Sequence, residues 1–166
     1  MLRLALLVFA LLIALVVVTA LVGYLLPAAH IAERQQEIAA PPDRVFAAIT
    51  DVETFPSWRS GVRSVEVLAR EPALRWRERG THDAILFEQV EAVRPARLVT
   101  RIADPSLPFG GTWTCTVEPT TAGSRVTIRE DGVVHNPIFR VMSRFVFGHT
   151  ATIDAYLKDL DGYLRR

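Results

Sequence analysis

The sequence predicts an α+β domain behind an apolar N-terminal segment, with seven antiparallel strands and a long C-terminal helix. Three observations predict it. Residues 4–26 hold no charged side chain. Seven strand-like stretches follow, the last six in series with only short polar or Gly/Pro breaks between them. Roughly the last 29 residues then repeat apolar side chains at helical spacing.

The N-terminal segment is the simplest to justify. As a helix, residues 4–26 would be about 34 Å long, against a hydrocarbon core of roughly 30 Å. Sixteen of these positions are Leu, Ile, Val or Phe, which together favour insertion by about 5–10 kcal/mol. Tyr24 suits the headgroup level and Pro27 ends the helix. A cleaved signal peptide is the alternative. Its apolar region would span about 7–15 residues, and a small-x-small site would follow; this run is longer, and no clear site of that kind follows it directly. The expected organisation is therefore a transmembrane anchor over 1–29 and a soluble domain over 30–166. Arg3 and the amino terminus lie closer to the span than Arg34 and Arg44. That asymmetry favours an inside N-terminus and a domain on the non-cytoplasmic side.

Residues 30–38 read as the first strand. "APPDRVFAAITD" reads as a helix opened by two prolines, with Asp43 in its first turn and Val45, Phe46 and Ile49 as its apolar stripe. "DVETFPSW" reads as a second, shorter helix that Asp51 can cap. The six later strands fall near 62–70, 73–79, 82–93, 96–104, 111–119 and 124–135. Trp113, Cys115 and Val117 alternate with Thr112, Thr114 and Thr116, and Val126, Ile128 and Glu130 alternate with Arg125, Thr127 and Arg129. A period of two marks a sheet with one covered and one wet face. In the final helix Asn136 can cap and Pro137 suits the first position. Ile138, Val141, Met142, Phe145, His149, Thr152, Ile153, Tyr156, Leu160 and Leu164 share a face, opposite Arg140, Arg144, Lys158 and Arg165. A stripe about 40 Å long needs cover, and the sheet is the large apolar surface available. Asp154 and Lys158 are spaced as an i,i+4 pair, and Gly148 is placed to bend the helix.

Composition narrows the function classes. Formal net charge is +1, and Lys158 is the sole lysine. The arginines are dispersed among Asp and Glu, so there is no basic patch for nucleic acid. Cys115 is the one cysteine, too few for an internal disulfide or a Cys-rich zinc site. The sequence has no phosphate loop, no H-E-x-x-H, no G-x-S-x-G and no Cys-x-x-Cys. His30, His82, His135 and His149 are not paired at metal-ligand spacing. No cofactor and no metal are expected.

The order of elements, with Pro41, Pro42, Val45, Phe46, Asp51, Phe55, Pro56 and Trp58 in "IAAPPDRVFAAITDVETFPSWRSGVRSVEVL", resembles the SRPBCC superfamily. That group includes START domains, birch-pollen-allergen-like proteins and polyketide cyclase/dehydrase-like proteins. The resemblance covers about residues 31–166. "PFGGTW", "EDGVVHNPIFR" and "FGHTATIDAYL" are similar to a membrane-associated branch with no settled activity. The resemblance implies a helix-grip fold, in which a curved seven-stranded antiparallel sheet wraps the C-terminal helix and leaves a cavity between them. It also implies a hydrophobic ligand: family members bind lipids, sterols, quinones, polyketides or plant hormones, and some are cyclases or dehydratases.

The candidate pocket follows from these faces: Trp76, Trp113, Cys115, Ile128, Glu130, Met142, Phe145, His149 and Ile153. Trp113 offers a wide wall and one donor, or plain core packing. Glu130 continues the inward alternation of Val126 and Ile128, where a carboxylate suits proton transfer or a ligand's polar head; it could equally pair with an arginine at a strand end. His149 could meet it across the cavity, or be a satisfied core histidine. Trp58 reads as closing the corner of the short helix. Cys115 reads as small core filling. Gly110 and Gly111 set a strand-start bend or a mobile gate. Phe147, on the arginine side of its helix, could touch the membrane or a neighbouring loop. Three functions remain open: a membrane-tethered binder of a hydrophobic small molecule, with residues 4–26 in the bilayer; a cyclase/dehydratase-like enzyme using Glu130 and His149; and a structural or regulatory module with a filled interior. A cavity of a few hundred Å³ would favour the first two.

Overall fold

In the computed structural model every residue of the 166 is described except His82 and His149, and of Phe147 only the backbone. Helix α1 (Leu2–Leu25) leads into strand β1 (Ala29–Ile38). Helix α2 (Pro42–Thr50), a 3-10 turn (Val52–Thr54) and helix α3 (Phe55–Trp58) follow. Then come β2 (Ser64–Ala69), β3 (Arg75–Arg79), β4 (Ala84–Val93), β5 (Arg97–Ile102), β6 (Phe109–Thr120) and β7 (Gly123–Val134). The chain ends in α4 (Pro137–Met142), a π-turn (Ser143–Phe147) and α5 (Ala151–Leu164).

The seven strands form one curved antiparallel sheet in the order β1-β7-β6-β5-β4-β3-β2. Strands β2 to β7 run as a meander, and β1 closes onto β7. The α2–α3 segment therefore carries the chain from one sheet edge to the other. Register shifts between Val67 and Ala69 and between Gln89 and Glu91 add local twist.

The two faces separate as the alternation predicts. On the outer face, charges of opposite sign stand directly across from each other: Glu33 and Arg129, Glu37 and Arg125, Glu66 and Arg77, Arg75 and Glu88, Glu88 and Arg101. Most are half exposed, so each contributes no more than about 1 kcal/mol. The ladder accounts for five of the dispersed arginines. On the inner face Ile38, Cys115, Val117, Val126 and Ile128 meet Val45, Phe46 and Ile49 of α2. From α5 come Ile153, Leu157, Leu160 and Leu164, all at or below 4 % exposure. Each such side chain contributes about 1.5–3 kcal/mol on burial.

Three local expectations are corrected. The C-terminal helix is not one rod: the π-turn and Gly148, at φ +74°, separate α4 from α5. A left-handed residue cannot continue a right-handed helix, and glycine adopts it without a Cβ penalty. Asp154 does not pair with Lys158 but accepts from Arg34 Nε of β1 at 3.1 Å, because α5 lies against that strand. Asp51 makes no capping hydrogen bond. Asn136 does cap: its Oδ1 accepts from the backbone N–H groups of Ile138 and Phe139.

Among the described residues, α1 is the one helix long and apolar enough to cross a membrane. Its side chains are exposed almost throughout, and Gly23 alone is buried. By length and composition it is compatible with a single-pass anchor or a signal sequence.

Candidate ligand cavity

A sheet that curves away from a straight helix leaves space between them. Here the space is a partly open cavity of about 410 Å³ between the sheet and α5. This lies within the range of about 300–1,000 Å³ usual for small-molecule sites.

Each wall comes from a local rule. Alternation on β5 turns Leu98, Thr100 and Ile102 inward, and on β6 it turns Gly111, Trp113 and Cys115 inward. Ile85 and Phe87 of β4 and Trp76 of β3 extend the floor; the rings of Trp76 and Phe87 stack at 5.6 Å. Ile128 and Glu130 of β7 close one flank. Thr152 and Tyr156, one turn apart on α5, form the roof. Ile49 and Phe55 contribute from the α2–α3 segment.

Two polar pairings stand at the cavity, one at β3 and one at β7, on opposite sides of its floor, and Asp83, Thr100, Arg101 and Thr152 add further polar side chains to the lining. On the β3 side, Glu78 is buried and its Oε1 accepts from Arg59 Nη1 at 2.7 Å and from Trp76 Nε1 at 2.9 Å. The Arg59 guanidinium also stands over the rings of Phe55 and Tyr156, at 4.9 and 5.0 Å. Burial pushes the Tyr156 hydroxyl well above its ordinary range, and the nearby Arg59 offsets only part of the shift. Tyr156 is therefore a neutral hydroxyl at physiological pH. On the β7 side, His30 Nε2 lies 3.3 Å from Glu130 Oε1. A Cβ at Gly132 would run into the His30 ring, so glycine at that position permits the contact.

Gly111 has φ +152°, and a Cβ there would come within 2.8 Å of Asp131 O. The glycine thus serves the close passage of β6 over β7. Cys115 is buried against the cavity, and desolvation pushes its thiol up to about 12. Only the thiolate alkylates readily. Native protein at neutral pH should therefore react with iodoacetamide at Cys115 far more slowly than denatured protein, by mass spectrometry. Equal rates would mean that the thiol is not desolvated.

The candidate residues of the sequence separate into groups. Trp76, Trp113, Cys115, Ile128 and Glu130 line the cavity. Met142, Phe145 and Ile153 do not. Met142 and Phe145 precede the Gly148 break, and Phe145 is 65 % exposed. Ile153 is wholly buried on the core face of α5, beside the face that carries Thr152 and Tyr156. His149, and with it the expected meeting with Glu130, lies outside the described residues, as does the side chain of Phe147. Trp58 packs away from the cavity, stacked on Tyr163 at 5.8 Å and edge-on to Phe55 and Tyr156. Sequence reasoning misses Arg59, Glu78 and Tyr156 as site residues. The i,i+2 spacing of Trp76 and Glu78 is the available signal for Glu78. Arg59 follows the aromatic-Pro-Ser-Trp run, and nothing in the sequence sets its direction.

The family model described as "Polyketide cyclase / dehydrase and lipid transport" matches residues 29–162. No curated protein matches significantly. Solved structures share the fold. The di-domain aromatase/cyclase StfQ of the steffimycin biosynthetic pathway is 15% identical, with TM-score 0.68 over 83% of this chain and 52% of that one. This chain thus spans about half the length of StfQ. A START superfamily protein from Mycobacterium smegmatis is 15% identical, with TM-score 0.66 over 82% of this chain and 97% of its own. A protein from Thermus thermophilus is 26% identical, with TM-score 0.63 over 82% of this chain and 97% of its own.

Proposed function

Because the chain belongs to the polyketide cyclase/dehydrase and lipid transport family, we propose that it binds a hydrophobic small molecule, such as a lipid or isoprenoid quinone, from a membrane-tethered position and without transforming it. The observation that carries this reading is the cavity itself: about 410 Å³, with Trp, Phe, Ile and Leu side chains making up much of its wall and with Glu78 held by Arg59 on one flank. An apolar body would fill the space between the sheet and α5. One polar end would meet Arg59 and the neutral Tyr156 hydroxyl, or Glu130, which His30 backs from outside the cavity. The α1 helix supports the tethered part of the reading. Held at a bilayer, the cavity samples a reservoir of water-insoluble ligand at high effective concentration. The charge asymmetry around the span, which favours an inside N-terminus, supports a position of the domain on the non-cytoplasmic side.

Native mass spectrometry of the full chain, extracted gently from membranes, tests the reading. A bound apolar species of defined mass is expected. An empty protein across several mild detergents would refute the binding function.

A second reading has one observation in its favour. The pairing of His30 with Glu130 at the cavity edge is the kind of acid/base couple a cyclase or dehydratase would use. If it dehydrates the bound molecule, Glu130→Gln should copurify with a species heavier by one water than that on the wild type; if it only cyclises it, the two species share a mass and differ in fragmentation. The same mass and the same fragmentation on both would leave binding as the function.

A further inference from the structure

Gly23 is the buried residue of an otherwise exposed helix, and what buries it is α4. A Cβ at Gly23 would run into the backbone of Pro137. The Arg140 side chain then clamps the junction. Its Nη1 donates to Gly23 O at 3.3 Å and Leu26 O at 3.4 Å, and its Nε donates to Val134 O at 2.7 Å. The last carbonyls of a helix lack partners within it and carry partial negative charge. A guanidinium satisfies both needs and ties α4 to the end of α1.

The stretch held there is unusually apolar on its open side. Ile138, Phe139, Phe145 and Val146 are 38 %, 46 %, 65 % and 61 % exposed. Among the described residues after α1, the exposed large apolar side chains are Ile31, Leu68, Val90, Val93 and these four. Half of them thus fall in one short stretch beside the junction of α1 and α4, interleaved with Arg140 and Arg144.

We propose that residues 137–147 form an interfacial element that lies in the headgroup layer of the bilayer where α1 emerges, with Ile138, Phe139, Phe145 and Val146 turned into the lipid. The proposal rests on the reading of α1 as a membrane anchor. Continuity with α1 selects lipid over a protein partner: α4 is fixed against the last turn of the span, at the depth where the headgroups begin. Apolar groups flanked by arginine suit that layer. The cavity rim shares this end of the domain. Phe109 pairs with Val134, whose carbonyl receives Arg140, and Thr152 follows closely on the Gly148 break. A ligand leaving the bilayer beside α4 would reach the rim without crossing bulk water.

Spin labels on the full chain in vesicles of phosphatidylcholine and phosphatidylglycerol test this, in a Cys115→Ala background with single Phe145→Cys, Val146→Cys, Leu12→Cys or Thr121→Cys. Thr121 lies in the β6–β7 hairpin and reports water; Leu12 reports the span. The labels at 145 and 146 are expected about 5–10 Å into the headgroup/acyl boundary by oxygen and nickel-chelate relaxation. A bilayer signal at 12 with an aqueous signal at 145 and 146 overturns the proposal and leaves the anchor standing. So does exclusion of both relaxants at 145 and 146, which would mark a protein contact. An aqueous or excluded signal at 12 overturns the anchor, and the interfacial element with it.

Discussion

Thr100→Trp is expected to cut capture of a photoactivatable palmitate analogue by the sheet at least about tenfold, equivalent to about 1.4 kcal/mol of binding. Thr100 sits mid-strand on β5, directly across from Trp113 of β6, and lines the cavity. An indole there fills space that a ligand would need. Aromatic side chains suit strands, and the added ring enters an existing void, so the fold should survive with its unfolding midpoint little changed. The measurement is peptide mapping of crosslinks on full-length protein in lipid vesicles. Labelling of α1 peptides serves as the internal control, since it depends on the bilayer and not on the cavity. Equal labelling of β5–β7 in wild type and variant would show that lipid does not enter the cavity.

Glu78→Ala is expected to lower stability by about 3 kcal/mol. The carboxylate is only 9 % exposed in its side chain, its partner Arg59 is 17 % exposed, and Trp76 Nε1 shares the same oxygen. Removing the acid leaves a partly buried guanidinium without its counter-charge and a buried indole N–H without its acceptor. Glu78→Gln keeps an acceptor for Trp76 and should cost less. Denaturant unfolding in detergent micelles measures both, and a double-mutant cycle with Arg59→Leu isolates the pair. A loss below about 1 kcal/mol would place the pair with the outer-face ion pairs, which water already screens.

Thr100 and Glu78 differ in how far the sequence reveals them. Thr100 can be placed on a strand from composition and breaks alone; of the partners of Glu78, Trp76 is signalled by its spacing two residues away, whereas Arg59 cannot be read at all. The inward direction of Trp113, Cys115, Ile128 and Glu130 follows from period-two alternation, because a strand has only two faces and the other is polar, threonine on β6 and arginine and threonine on β7. Proline-opened α2 and the Asn136 cap are legible for a similar reason: both depend on residues within one turn of each other. The break at Gly148 is harder. Helical periodicity runs through it without interruption, so Met142 and Phe145 fall on the same stripe as Ile153. Their true direction depends on a left-handed residue that separates α4 from α5.

What the sequence by itself determined is the class of the molecule: an apolar N-terminal helix, seven strands with one wet face, a C-terminal helical region and the family of its fold. The elements rest on local chemistry, in which each side chain's preference depends on neighbours a few positions away, and the family rests on a resemblance in their order and in the run from Ile38 to Trp58. Tertiary structure alone decided which polar groups meet at the sites. The meeting of Arg59 with Glu78 spans 19 residues, and that of His30 with Glu130 spans 100. Arg140 reaches Gly23 across 117. Contacts at such separations are set by how the sheet curves, where α5 rests against it and where α4 rests against α1, and a periodicity of two or 3.6 residues carries no information about any of these.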